Sequence, residues 1–227
     1  MKNKAVLCDA SSLISLTDAG FLWVLYYLKK KHNIFLMIPK KVEYECITRP
    51  IGIKKYAIHG IRLRDAVNDG IIDVVDLDVE KEGIELMEIA NNMFFARGKP
   101  IHLVDAGEAE MIVLTKKLGV PNVLIDERNT RMLIENAEDL RDHQERELRV
   151  HITSNKKLNE FKDIVKGIFA FRSSEVLGIA YEKGMFNKFQ GMERQALEAG
   201  LNSLKYNGCA ISFEEVGKLM NILQKPR

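Results

Sequence analysis

The feature that most constrains this chain is its alternation of short apolar runs with longer amphipathic stretches. "AVLC" is a continuous apolar run of the kind a strand needs when both of its faces are covered. "IFLMI", "IIDVVDL" and "VLI" read as further strands. Helical patterns fill the intervals. "SLISLTDAG" can be capped by Ser11 or Ser12, and "FLWVLYYLKKK" ends in basic residues that suit a helix C-terminus. "PKKVEYECI" places Pro39 as its first helical residue. "DVEKEGIELMEIANNMFFARG" reads as one long helix ended by Gly98, and the segment after His102 supplies another helix before "VLI". Strands alternating with helices predict an α/β sandwich with a mainly parallel central sheet.

After Leu133 the pattern changes. "ENAEDLRDHQERELR" is densely charged and reads as a solvent-facing helix, while "VHITSNKKLNEFKDIVKGIFAF" fits either strand or helix. "SSEVLGIAYEKG", "MERQALEAGLNSLKYNG" and "SFEEVGKLMNIL" are amphipathic helices separated by Gly184 and Gly208. The expected organisation is a core over residues 1–137, a charged insertion over 138–170, and a helical extension over 171–227. That extension packs on the core or pairs with another chain.

At 227 residues, with 46% hydrophobic and 29% charged residues, the chain has enough apolar material for a substantial core. A net charge of +2 does not by itself announce a nucleic-acid binder, so any such case rests on local patches. Cys8, Cys46 and Cys209 are odd in number and widely spaced, which argues against a disulfide framework or a zinc site. The N-terminus meets Asp9 after only four apolar residues, and "AGFLWVLYYL" is about half the length needed to cross a bilayer. A cytoplasmic protein without a membrane partner is expected.

Ligands of an open parallel sheet gather beyond the carboxyl ends of its strands. Asp9 and Asp126 each follow an apolar strand closely, so neighbouring strands would aim both carboxylates into one crevice. Glu108 lies in the first turn of the helix leading to the Asp126 strand, and Glu45 lies two turns into the helix after Pro39. Glu108 and Glu110 differ by about 200° around a helix, so only one of them can face a given pocket. The same holds for Glu43 and Glu45. Carboxylates from separate segments repel one another as anions unless a cation joins them. Hard oxygen donors suit Mg2+ or Mn2+, which can activate a water and neutralise a phosphodiester in the transition state. Each residue also has an ordinary reading: Asp105 with Glu108 fits a capping box, Asp9 fits an N-cap, and Glu45 fits a helix surface.

"VLCDASSLISL", "IPKKVEYECI", "DAGEAEMIVLTKKLG" and "NVLIDERNTRML" resemble, in this order, the four acidic motifs of PIN-domain proteins. The best likeness is to a VapC-like prokaryotic subgroup with a "GEAE" third motif, whose C-terminal helices the tail also resembles. The likeness covers residues 4–137 and 174–224 and implies a PIN-like three-layer α/β/α sandwich with a C-terminal helical extension. It implies a divalent-metal-dependent endoribonuclease, either toxin-type or RNA-processing, using Mg2+ or Mn2+. Asp9, Glu45, Glu108 and Asp126 would be the catalytic acids, with Asp9, Glu108 and Asp126 on the metal. Ser11 would support the cluster, and Arg128 and Arg131 would pair with carboxylates or phosphate. Homodimers and a small antitoxin protein are further implied partners. The third acid is Glu here where typical toxins have Asp.

Residues 49–64 carry Arg49, Lys54, Lys55, Arg62 and Arg64 with no acid before Asp65, and Tyr56 and His59 are interleaved. Lys54, Lys55, Arg62 and Arg64 are candidates for tracking an RNA backbone, and an acidic site needs such charge to attract a polyanion. Trp23 with Phe21, Tyr26 and Tyr27 reads as core or dimer contact, and Met185, Phe186 and Phe189 can serve the same surface. A dehalogenase-type phosphatase would need an acid where Ser11 stands, and a Rossmann glycine fingerprint is absent after the first strand. The remaining alternative is a PIN-like scaffold that binds RNA or protein without cutting.

Overall fold

The computed structural model describes residues 4–223. Along the chain, β1 (Ala5–Cys8) is followed by α1 (Ala10–Asp18), α2 (Leu22–His32) and β2 (Phe35–Pro39). A continuous helix comes next, built from α3 (Lys40–Glu43), a π turn (Tyr44–Thr48) and α4 (Arg49–Ile51). Then come α5 (Ala57–Asn68), β3 (Ile72–Val75), α6 (Glu80–Ala90), β4 (Phe94–Ala96) and β5 (Lys99–Pro100). They lead to α7 (Ala106–Leu118), β6 (Asn122–Leu124) and α8 (Arg128–Leu148). The remainder holds β7 (Ile152–Ser154), α9 (Lys157–Val165), β8 (Phe169–Phe171) and α10 (Ser173–Glu182). A 3-10 turn (Met185–Phe189), α11 (Glu193–Tyr206) and α12 (Phe213–Ile222) follow.

The central sheet has five strands in the order β3-β2-β1-β6-β8, and every pairing in it is parallel. Alternation along the strands explains its two covered faces. Leu7, Val123 and Ile125 enter one core with side chains of α6, α7, α8 and α9. Cys8, Leu36, Ile38 and Leu124 enter the other, with α1, α2, α5 and the C-terminal helices. The result is an α/β/α sandwich with a parallel central sheet, as the strand and helix pattern predicts.

Three local expectations need correction. Pro39 ends β2 and precedes α3 instead of opening it, its ψ of 159° keeping it extended. The long helix expected to run to Gly98 stops at Ala90, because Asn91 turns its side chain to other backbone: Asn91 Oδ1 accepts from Leu103 N at 2.7 Å and Val104 N at 2.9 Å. "FFA" is then free to pair as β4 in a small antiparallel sheet with β5 and β7. The charged helix α8 is broken at Asn136, whose φ of −162° and ψ of 101° are extended. It is also not wholly solvent-facing, since Leu133, Ile134, Ala137 and Leu140 are buried.

The stretch 138–170 resolves into half of α8, β7, α9 and most of β8, and the expected 170/171 boundary falls inside β8. The C-terminal helices pack on the core they share with α1, α2 and α5. Phe186 is fully buried with its ring centroid 5.7 Å from that of Trp23, and Phe21 stacks on it at 5.9 Å. Among the described residues no single helix is long and apolar enough to cross a membrane.

Candidate active site

Two neighbouring strands position the first pair of acids. Cys8 of β1 stands opposite Leu124 of β6, so Asp9 and Asp126 emerge from adjacent carboxyl ends of the sheet. Asp9 is the N-cap of α1, and its Oδ2 accepts from Ser11 N at 2.9 Å and from the Ser11 hydroxyl. The same hydroxyl oxygen accepts from Asp126 N at 3.2 Å, so one serine joins both aspartates. Asp126 is fully buried; Ser173 N donates to its Oδ1 at 2.7 Å, while its Oδ2 has no hydrogen-bond partner among the described residues. An orphaned carboxylate oxygen in the interior is costly and asks for a cation or a proton.

Glu108 approaches from α7. Its Oε2 accepts from Asp105 N at 2.8 Å, which is half of the capping arrangement the sequence also allows, and its Oε1 accepts from Thr130 Oγ1 at 2.6 Å. Glu45 lies in the π turn, a form of helix that often marks functional positions. Its carboxylate rests against the start of α7: a Cβ placed on Gly107 would stand 3.0 Å from Glu45 Oε2 and 3.1 Å from Oε1. Glu110 faces away, its Cγ close to Gly83 of α6, as the helical period requires.

Electrostatics ties the group to Asp9. Burial pushes Asp9 up, Ser11's hydrogen bonds pull it down, and the charge of Asp126 adds to the rise. Glu45 is raised by burial and by Asp9, against Lys41. Glu108 is pushed up to about 8 by burial, with the charges of Asp9 and Glu127 adding to the rise and its hydrogen bonds opposing it. Among the described residues none of the four carboxylates forms an ion pair with a basic side chain. The donor set therefore fits a hard divalent cation in its chemistry: all oxygen, raised carboxyls, and one orphaned oxygen. The side chains do not yet converge. Among the described residues no three His, Cys, Asp or Glu groups stand close enough to hold an ion as they are.

Arg128 and Arg131 are directed elsewhere. Arg128 lies against His143 at 3.2 Å, and Arg131 pairs with Glu135 at 2.7 Å, both partners being on α8. In the basic segment, Lys54, Lys55 and Arg62 are exposed. Arg64 is half-buried with Nη2 3.5 Å from Thr48 Oγ1. Tyr56 is exposed beneath the Lys55 ammonium, whereas His59 is buried beside Asp18 and offers no stacking face. α5 packs directly on the π turn, Gly60 fitting against Ile47 O, which links the basic surface to Glu45. Sequence reading missed Thr130, although it lies within the last acidic motif. It also missed Gly107 as the seat of Glu45, and the Ser173 amide, which has no side-chain signature.

A family model for the PIN domain matches residues 5–140, more than half of the chain and a span that contains all four carboxylates. No curated protein and no solved structure matches significantly. The parallel sheet, the acids at its carboxyl edge and this match together place the chain in the PIN-domain family, a nuclease-type fold.

Proposed function

We propose that the protein is a divalent-metal-dependent endoribonuclease, of toxin or RNA-processing type within a VapC-like subgroup. The observation that carries the reading is the pair Asp9 and Asp126, set at the ends of adjacent strands, bridged by Ser11, and paired with no basic side chain among the described residues. A bound Mg2+ or Mn2+ would supply an activated water and neutralise charge on the phosphodiester. Asp9, Asp126 and Glu108 would hold the ion, and Glu45 would act from across the cleft on the attacking water. Glu108 must surrender the Thr130 hydroxyl or the Asp105 amide and lose its proton to do so, so ion binding is coupled to proton release. Lys54, Lys55 and Arg62 would take the RNA backbone as it leaves the cleft. RNA is then the main partner. The exposed Tyr206, Phe213 and Ile222 on α11 and α12 support a homodimer, and a toxin role adds a small antitoxin protein.

Incubation of the purified protein with labelled structured and single-stranded RNAs, with and without Mn2+, tests the reading. Cleavage should require the ion and vanish in Asp9→Asn. RNA binding without cleavage, and no Mn2+ binding, would favour the second reading of a non-cutting scaffold. The observation on that side is that Glu108 has one oxygen engaged in capping α7 and the other on the Thr130 hydroxyl.

A further inference from the structure

We infer that the C-terminal segment is part of the active site, acting through Arg172, Ser173 and Ala210 as positioning residues that fix Asp126. The inference rests on the nuclease reading above and adds a component from beyond residues 5–140, where the family match ends.

Asp126 is held at three points, and two of them come from this segment. Ser173 N donates to Oδ1 at 2.7 Å, and Ala210 N donates to the Asp126 carbonyl at 3.1 Å. The third is Ser11, which meets the Asp126 amide. A carboxylate has two rotatable bonds, so the Ser173 bond decides which oxygen is committed and which, Oδ2, stays available.

The holders are themselves held. Arg172 Nη1 donates to Ala210 O at 3.0 Å and to Glu215 Oε1 at 2.8 Å, and its Nη2 donates to Glu175 Oε1 at 2.6 Å. One guanidinium thus locks the start of α10 to the 209–211 strap and to α12. Ser173 Oγ lies 3.3 Å from Ser12 O, and Ser12 Oγ donates to Leu124 O at 3.0 Å and Asp9 O at 2.9 Å. Ser15 Oγ donates to Asn207 O at 3.1 Å. The segment therefore grips both strand ends that bear the aspartates. Outer partners of this kind orient metal-binding side chains and raise their affinity. A merely structural account is that Asp126 caps α10 from a distance. That account makes Asp126 a servant of the helix, with no consequence for the ion.

The two accounts separate on Mn2+ affinity measured by calorimetric titration, with thermal unfolding as the control for folding. Ser173→Pro removes the donor amide together with the hydroxyl, at the first position of a helix, where proline is accommodated and where Arg172 is already extended. Ser173→Ala keeps the amide and removes the hydroxyl. Folded Ser173→Pro should bind Mn2+ about 10–100-fold more weakly than wild type, and Ser173→Ala within about threefold. Equal affinity of folded Ser173→Pro and wild type would overturn the inference, as would equal weakening in both variants. If Ser173→Pro does not fold, Arg172→Gln decides in its place. Its Mn2+ affinity should fall by about tenfold, with Arg172→Lys recovering part of the loss. Unchanged affinity in folded Arg172→Gln would sink the idea. Failure of wild type itself to bind Mn2+ would refute the nuclease reading instead, so the two failures are distinguishable.

Discussion

Replacing Glu108 by glutamine probes the cost of burying a carboxylate in this cluster. In the folded protein this carboxyl is raised from 4.5 to about 8 by burial and neighbouring charge. In the unfolded chain it ionises near its ordinary value. Between those two values the folded state binds more protons than the unfolded one, so metal-free stability falls as pH rises through that window. Below about 4.5 the contribution is fully present, and above about 8 it is gone. At about 1.4 kcal/mol per unit the shift is worth up to about 5 kcal/mol, and roughly 3–5 kcal/mol is expected once the neighbouring acids share it. Glutamine keeps the size and has no proton to lose. Urea unfolding in the presence of a chelator, at pH 5 to 9, should show Glu108→Gln gaining on wild type as pH rises. Adding Mn2+ at pH 8 should stabilise wild type and leave the variant where it was. A difference between the two proteins that stays flat with pH, to within about 0.5 kcal/mol, would refute the raised Glu108 carboxyl.

Gly107→Ala should keep or raise stability by up to about 1 kcal/mol through helix propensity. The new methyl displaces the Glu45 carboxylate, so RNA cleavage should fall while the melting temperature does not; unimpaired cleavage counts against a role for Glu45. Gly200→Ala should do the opposite, since its Cβ would lie 2.6 Å from Phe21 Cζ and 2.9 Å from Leu177 Cδ2. A loss of about 1–3 kcal/mol is expected by thermal denaturation, and a gain would mean the junction between α11 and α1–α2 is looser than described. Lys54→Glu with Lys55→Glu should weaken RNA binding and flatten its salt dependence by about 1.4–1.8 units of slope, read from titrations at several salt concentrations. An unchanged slope would place the RNA elsewhere.

The sheet and the placing of Asp9 and Asp126 at its carboxyl edge were legible in the sequence because each depends on local pattern. Apolar runs such as "AVLC" announce strands covered on both faces, and an acid just after such a run lies at the sheet's carboxyl edge wherever the strand pairs. The Glu108 and Glu110 separation was legible for the same reason, being a matter of helical phase. What escaped was set by distant partners. α6 ends at Ala90 because Asn91 reaches the backbone of Leu103 and Val104, and nothing near Asn91 declares that reach. "IFAF" was ambiguous since three residues suffice for β8 once β6 offers an edge. Arg131 followed its motif into the expected place, yet an i+4 glutamate took its guanidinium. The Ser173 amide could not be read from sequence at all, because every residue but proline carries one.

The outer strand β8 carries a consequence for how the protein can be divided. It is the last strand to be synthesised, yet it pairs with β6, and Ile125 N reaches across to Phe171 O at 2.8 Å. A fragment cut where the family likeness stops, at residue 140, would leave β6 as a raw edge with its amides unsatisfied and Val123 and Leu124 bared beside it. Such a fragment would be sticky. On the ribosome the same geometry delays completion of the sheet until the nascent chain has passed Phe171, so the four clustered carboxylates are all made well before their scaffold can close.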